Sequence, residues 1–145
     1  MDKWEKQLFY EDVKIGSETH EVALPISLQL LVMEAGANRD LSSIHHDNEA
    51  GIATGASSAY ANTYFLMGMI ERLLREWMGI QGKLKKISSL RMKIFNSVGD
   101  VVRFTGKVTE KDDANAAVVL DICSKTDKGE TMTAEATVIL PKKED

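Results

Sequence analysis

The sequence predicts an α+β fold in which one long helix is wrapped by a curled antiparallel sheet. Two observations carry that expectation. From about Asn62 to Met78, Phe65, Leu66, Met69, Ile70, Leu73, Leu74 and Trp77 share one helical face, and Glu71, Arg72, Arg75 and Glu76 fill the other. Beyond it, runs of alternating apolar and polar residues are separated by turn signals, the pattern of successive hairpin-linked antiparallel strands. So wide an apolar helix face must be covered by something large, and the second half of the chain supplies the cover.

The 145 residues fit one domain, 1–145, with one sizeable core. Hydrophobic residues make up 43% and charged residues 28%, ordinary values for a globular chain that exclude disorder. Lys and Arg number 18 against 22 Asp and Glu, a net charge of 18 − 22 = −4, and no long basic run occurs. Nucleic acid is therefore not expected as a partner. A single cysteine, Cys123, cannot form an internal disulfide, which points to a reducing compartment. The opening Met-Asp-Lys-Trp-Glu-Lys lacks a signal peptide's apolar core, and no run approaches the roughly 18 apolar residues of a membrane span. A cytoplasmic protein with no membrane segment is the expectation.

Each element has its own signal. His20 precedes an extended Glu21-Val22-Ala23-Leu24 segment and carries no evident role. After Pro25, Ser27 is a candidate N-cap for a helix running to about Gly36. Residues 39–59 turn to Asp, Ser, His, Asn and Gly, which reads as loop and short helical turns. Gly79 stops the long helix, with Arg75 in its last turn where the dipole favours positive charge. Leu90, Met92 and Ile94 then alternate with Arg91, Lys93 and Phe95, and Ser97-Val98-Gly99-Asp100 reads as a hairpin turn into the strand at 102–108. Turns at 112–115 and 126–130 separate strands at 117–125 and 131–140, the last with Met132, Ala134, Ala136, Val138 and Leu140 on one side. Pro141 opens a polar tail, 141–145, expected to be solvated.

Reactive residue types gather in one place, Asn38-Arg39-Asp40-Leu41-Ser42-Ser43-Ile44-His45-His46-Asp47. A carboxylate and an imidazole together can hold a water and move its proton. Residue types alone favour the plainer account, in which Asp and Ser cap helices and a loop histidine is solvated. His45, His46 and Asp47 are consecutive and cannot all point inward from regular structure, so no metal site is expected. Asn62 reads as an N-cap or as a substrate contact. His46 reads as a solvated neighbour, Cys123 as strand packing, and Met67, Met69 and Met78 as core or interface filler.

The segment Asp40-x-x-x-x-His45-x-Asp47, preceded by a helix and followed by a small-residue loop and a long helix, resembles the MaoC-like (R)-specific enoyl-CoA hydratases of the hot-dog fold. Phe9-Tyr10-Glu11-Asp12-Val13-Lys14-Ile15-Gly16 looks like the family's opening phrase. Ser97-Val98-Gly99-Asp100 looks like its Gly-Asp hairpin, and Ala136-Thr137-Val138-Ile139-Leu140-Pro141 like its final strand. The likeness thus covers nearly the whole chain. Two departures stand out. The family commonly has Asn-Pro where this chain has Ser42-Ser43, and His-Gly where gap-free counting gives Asn62-Thr63. A backbone N–H does not require glycine, so an oxyanion donor at Thr63 is retained while its side chain narrows the approach.

The resemblance implies reversible hydration of a trans-2-enoyl-CoA, or of an acyl-carrier thioester, to a (3R)-hydroxyacyl product. Asp40 and His45 would share one water, and Thr63, Asn62 and Ser43 would serve the oxyanion or the substrate. It implies no metal and no cofactor beyond the substrate's CoA. It also implies a dimer, either of this chain or with another MaoC-like chain. In the second case Gly55-Ala56-Ser57-Ser58-Ala59 would leave room for a bulky acyl group. A non-catalytic acyl-thioester-binding subunit is the alternative if Asp40 and His45 do not converge, and a thioesterase is a weaker one. Lys83, Lys85, Lys86, Arg91 and Lys93 are either a solvated strand edge or contacts for CoA phosphates.

Overall fold

The computed structural model describes residues 6–143; residues 1–5 and 144–145, the end of the expected tail, lie outside the described residues. In chain order the elements are β1 (Val22–Pro25), α1 (Leu28–Asn38), α2 (Asn48–Ala53), α3 (Thr63–Met78), β2 (Lys83–Met92), β3 (Val101–Asp112), β4 (Ala117–Thr126) and β5 (Gly129–Ile139). Single 3-10 turns occupy Tyr10–Asp12 and Ser43–His45. Among the described residues no helix is long and apolar enough to cross a membrane.

Local chemistry sets the helix ends where the sequence places them. Ser27 Oγ accepts the Leu30 N–H at 3.1 Å and starts α1. Asn62 Oδ1 accepts the Phe65 N–H at 2.8 Å and starts α3. Gly79, at φ +81°, ends α3, and a Cβ there would lie 2.7 Å from the Lys6 carbonyl oxygen. The apolar face of α3 is the heart of the core: Leu66, Ile70, Leu73, Leu74 and Met78 are wholly buried. Phe65 and Trp77 pack at its margin. Truncating any one of these leucines to alanine costs about 2–5 kcal/mol.

All five strands are antiparallel, in the order β1-β3-β4-β5-β2. Helix α3 touches β2, an outermost strand, and also β3 near the opposite edge. The sheet therefore curls around the helix. Met132, Ala134, Ala136, Val138 and Leu140 all face the core, as the alternation predicts.

The strand expected at 90–95 and the hairpin expected at 97–100 are corrected by the structure. The strand is β2, from Lys83 to Met92, and its partner is β5 rather than β3. Register shifts between Leu84 and Lys86 and between Ser88 and Arg91 break the two-residue period, which hides the strand among lysines. Lys83, Lys85, Lys86 and Arg91 are exposed along this outer strand, the solvated edge that was one of the two expectations. Residues 93–100 form a connection instead of a hairpin. It is pinned to β5 through Lys93 N–H to Thr131 O, to residues 59–61 through Val98 N–H to Ala59 O and Ala61 N–H to Asn96 O, and to Ile26 O through the Gly99 N–H. The connection thus lies beside the start of α3.

The described part of the tail is exposed but tied down. Pro141 O accepts the Tyr10 N–H at 2.9 Å, and Lys143 pairs with Asp12. Burial and a 2.7 Å hydrogen bond to Asp113 push the Tyr10 phenol up to about 12.

Candidate active site

The loop after α1 delivers the first acidic group. Arg39 takes a left-handed conformation at φ 57°, the Asp40 N–H bonds back to Ala35 O at 3.0 Å and the Arg39 N–H to Gly36 O at 3.4 Å. This pair of bonds is the Schellman stop, and it turns the chain sharply at Asp40. Asp40 Oδ1 accepts a long bond from the Ser42 N–H at 3.4 Å. The next turn carries His45, which is 8% exposed. His45 Nδ1 lies 2.8 Å from the Tyr60 carbonyl oxygen, an acceptor only, so Nδ1 carries the proton. Nε2 is left facing Asp40 Oδ2 at 3.4 Å. The Tyr60 ring meets the imidazole edge-on at 5.3 Å, and Phe95 stacks against Tyr60 at 4.4 Å, so packing as well as hydrogen bonding fixes the ring.

Asn62 joins this pair to the long helix. Its Oδ1 caps α3, which leaves Nδ2 to donate to Asp40 Oδ2 at 2.9 Å. Asn62 is thus the N-cap, and the same amide anchors Asp40. Thr63 is the first residue of α3. Among the described residues neither the Thr63 nor the Tyr64 N–H has an acceptor, and both stand at the positive end of a 16-residue helix.

Asp40, His45, Asn62 and Thr63 line one cleft of about 370 Å³. Its other wall is Tyr60, Tyr64 and the segment Met92-Lys93-Ile94-Phe95. Ser43 is not in this cleft. It is exposed, and its carbonyl accepts the His46 and Asp47 N–H groups to close the turn, so its place is structural. His46 Nε2 meets Leu41 O at 3.3 Å outside the cleft, and Asp47 caps α2 through Glu49 and Ala50. The small-residue run 55–59 does not line the cleft either. It packs on α2, where Gly51 lies so close to Ser58 that a Cβ would sit 2.2 Å from the Ser58 carbonyl oxygen.

Cys123 sits on β4, away from the cleft, and burial together with its bond to Glu130 pushes the thiol up to about 11. It is no nucleophile at neutral pH. Among the described residues no three His, Cys, Asp or Glu side chains gather to hold a metal ion. Sequence reasoning missed the wall at 92–95, which an alternating pattern disguised as strand, and it missed Glu34. That residue is 7% exposed, and burial pushes its carboxyl above the usual range. The signal was available, since Glu34 is the one acid on the helical stripe shared by Leu31 and Asn38.

Comparison with known proteins bears on the fold and on the chain as a whole. No family model matches the chain. The 3-oxo-4,17-pregnadiene-20-carboxyl-CoA hydratase beta subunit of Mycobacterium tuberculosis is 27% identical over 120 residues, 83% of this chain and 91% of that protein. A chain of the ChsH1-ChsH2 complex from Mycobacterium tuberculosis superposes with a TM-score of 0.82 at 25% identity, covering 88% of this chain and 98% of that one. A MaoC-like dehydratase superposes with a TM-score of 0.85 at 22% identity, covering 92% of this chain and 42% of that one. The chain resembles hydratase and dehydratase chains of the MaoC-like group over most of its length. Its sheet and helix are the hot-dog fold. The cleft at the start of the hot-dog helix carries an acid held by the Asn62 amide and an imidazole held by the Tyr60 carbonyl.

Proposed function

We propose that this chain catalyses the reversible hydration of a trans-2-enoyl thioester, with CoA as carrier, to a (3R)-hydroxyacyl thioester. One observation carries the reading. Asp40 Oδ2 and His45 Nε2 lie 3.4 Å apart in the cleft, and with Nδ1 protonated both present lone pairs. Two acceptors so placed are satisfied together by one water that donates a proton to each. Deprotonating that water lets its oxygen form a bond to the β-carbon. The C=C electron pair shifts toward the thioester carbonyl, and the proton taken up by the pair is delivered to the α-carbon. Water is thus added across the double bond with nothing left over.

Negative charge develops on the thioester oxygen during this step. The Thr63 N–H, free and at the positive end of α3, is the group that meets it. One such donor is worth about 3 kcal/mol of barrier. The apolar wall of Tyr60, Ile94 and Phe95 suits an acyl chain. No metal or redox group enters the scheme. Convergence of Asp40 and His45 supports catalysis over the non-catalytic binding-subunit alternative.

A second reading concerns assembly. The relative cited above is the beta subunit of a hydratase, and the cleft wall is an exposed lip, with Tyr64 70% and Phe95 41% accessible. A partner MaoC-like chain, or a second copy, would close it.

The test is loss of enoyl absorbance with crotonyl-CoA and longer enoyl-CoAs. Asp40→Asn and His45→Ala should each lose at least about a hundredfold while melting like the parent, and the double variant should be little worse than either. Parent rates in both single variants would overturn the assignment.

A further inference from the structure

A second hollow opens one side chain away from the cleft. Leu30, Met33 and Ala37 on α1 face Tyr64, Phe65 and Gly68 on α3 across a groove of about 370 Å³. The α1 residues recur at steps of three and four, and Tyr64 and Gly68 stand four apart, so each helix gives one stripe to the groove. Glu34 and Asn38, the carboxyl and the amide on the α1 wall, are bonded to each other, and the rest of the lining is largely apolar. Tyr64 lines both the groove and the cleft.

Gly68 keeps this groove open. Glycine is a poor helix former, yet it stands here inside a 16-residue helix. No close approach demands it, because a Cβ added there would meet nothing within 4 Å. The helix thus carries a weak residue where a larger one fits, and what the missing side chain provides is room. A hollow of this size falls in the range of small-molecule sites, about 300–1,000 Å³. Continuity with the cleft decides the occupant. With the thioester oxygen at the Thr63 N–H, Tyr64 is the next residue of the helix. An acyl chain that extends beyond the reacting carbons has an apolar path past Tyr64 and between the two helices.

We propose that the groove between α1 and α3 is the subsite for the distal part of the acyl chain, and that Gly68 sets the chain length the protein accepts. The inference rests on the hydratase reading for its substrate class. It adds where the far end of that substrate lies and which residue discriminates among acyl groups.

The test compares trans-2-dodecenoyl-CoA with crotonyl-CoA in the parent, Gly68→Leu, Ala37→Leu and, outside the groove, Gln29→Leu. Leucine at 68 or 37 fills the groove from one wall or the other. The ratio of kcat/KM for the long thioester to that for the short one should therefore fall at least about tenfold, through KM. Gln29→Leu adds similar bulk at an exposed position of α1 and should keep the parent ratio. All three positions are exposed, and leucine is a better helix former than glycine, so the variants should melt close to the parent or above it. Binding of saturated thioesters needs no turnover. The affinity ratio of dodecanoyl-CoA to butyryl-CoA should also fall at least about tenfold in Gly68→Leu. A parent that shows this binding pattern but hydrates nothing would sink the hydratase reading alone, and a parent that binds no thioester would overturn both. Unchanged ratios in Gly68→Leu and Ala37→Leu would overturn the subsite alone. So would a changed subunit mass in light scattering with no change in ratio, which would make the groove a contact between copies. Should Gly68→Leu not fold, Ala37→Leu decides by the same ratios.

Discussion

At the scale of single residues the site is built from groups that serve two masters. The Tyr60 carbonyl sets the tautomer of His45, and its ring holds the imidazole in place. Asn62 caps a helix with one atom and aims an acid with another. Thr63 stands where the hydratases that the sequence resembles commonly have glycine, and it yields a prediction. If only its N–H acts, Thr63→Gly keeps the donor and removes the branched side chain, so kcat should hold or rise. Stability should fall by up to about 1 kcal/mol, as for glycine in a first helical turn. If the hydroxyl touches substrate, Thr63→Ser is tolerated and Thr63→Gly raises KM. Kinetics and melts on three proteins separate the outcomes. The Asp40 to His45 spacing was legible because six consecutive residues carry it. The Asn62 bond to Asp40 was not, because 22 residues separate the partners and no local pattern marks the pair.

Elements were legible in proportion to their periodicity. Helix α3 keeps its 3.6-residue stripe without interruption, and β3, β4 and β5 meet in hairpins, so their turns at 112–115 and 126–130 announced them. Strand β2 pairs with the last strand of the chain, and its two register shifts erase the alternation that a reader relies on. Gly51 of α2 is a further feature that no pattern revealed. The backbone at Ser58 and Ala59 passes over it, and a Cβ would stand 2.2 Å from the Ser58 carbonyl oxygen and 2.7 Å from the Ala59 nitrogen. Both obstacles are main chain, so neither can swing away. Gly51→Ala should therefore destabilise by at least about 2 kcal/mol, seen as a lower denaturant midpoint at unchanged slope. An unchanged midpoint would mean that residues 54–59 reposition freely.

The whole molecule leaves two kinds of surface to be covered. β1 and β2 are open sheet edges, and the apolar lip of the cleft faces outward. Light scattering on the purified chain should give at least dimer mass, with about 1,000 Å² or more buried between subunits. A monomer at micromolar concentration favours a different MaoC-like chain as the missing partner, and activity should then return on mixing the two. The cap at Asn62 sets how such a molecule fails on heating. Helix ends open at far lower free energy than cores, and this end holds the acid of the site. Warming should therefore disarm the protein while its core is still folded: turnover fades first, reversibly, and returns on cooling because the apolar core under α3 stays packed. On the hydratase reading, Asn62→Ala should lower the temperature at which turnover is lost further than the temperature at which the sheet and helix beneath unfold.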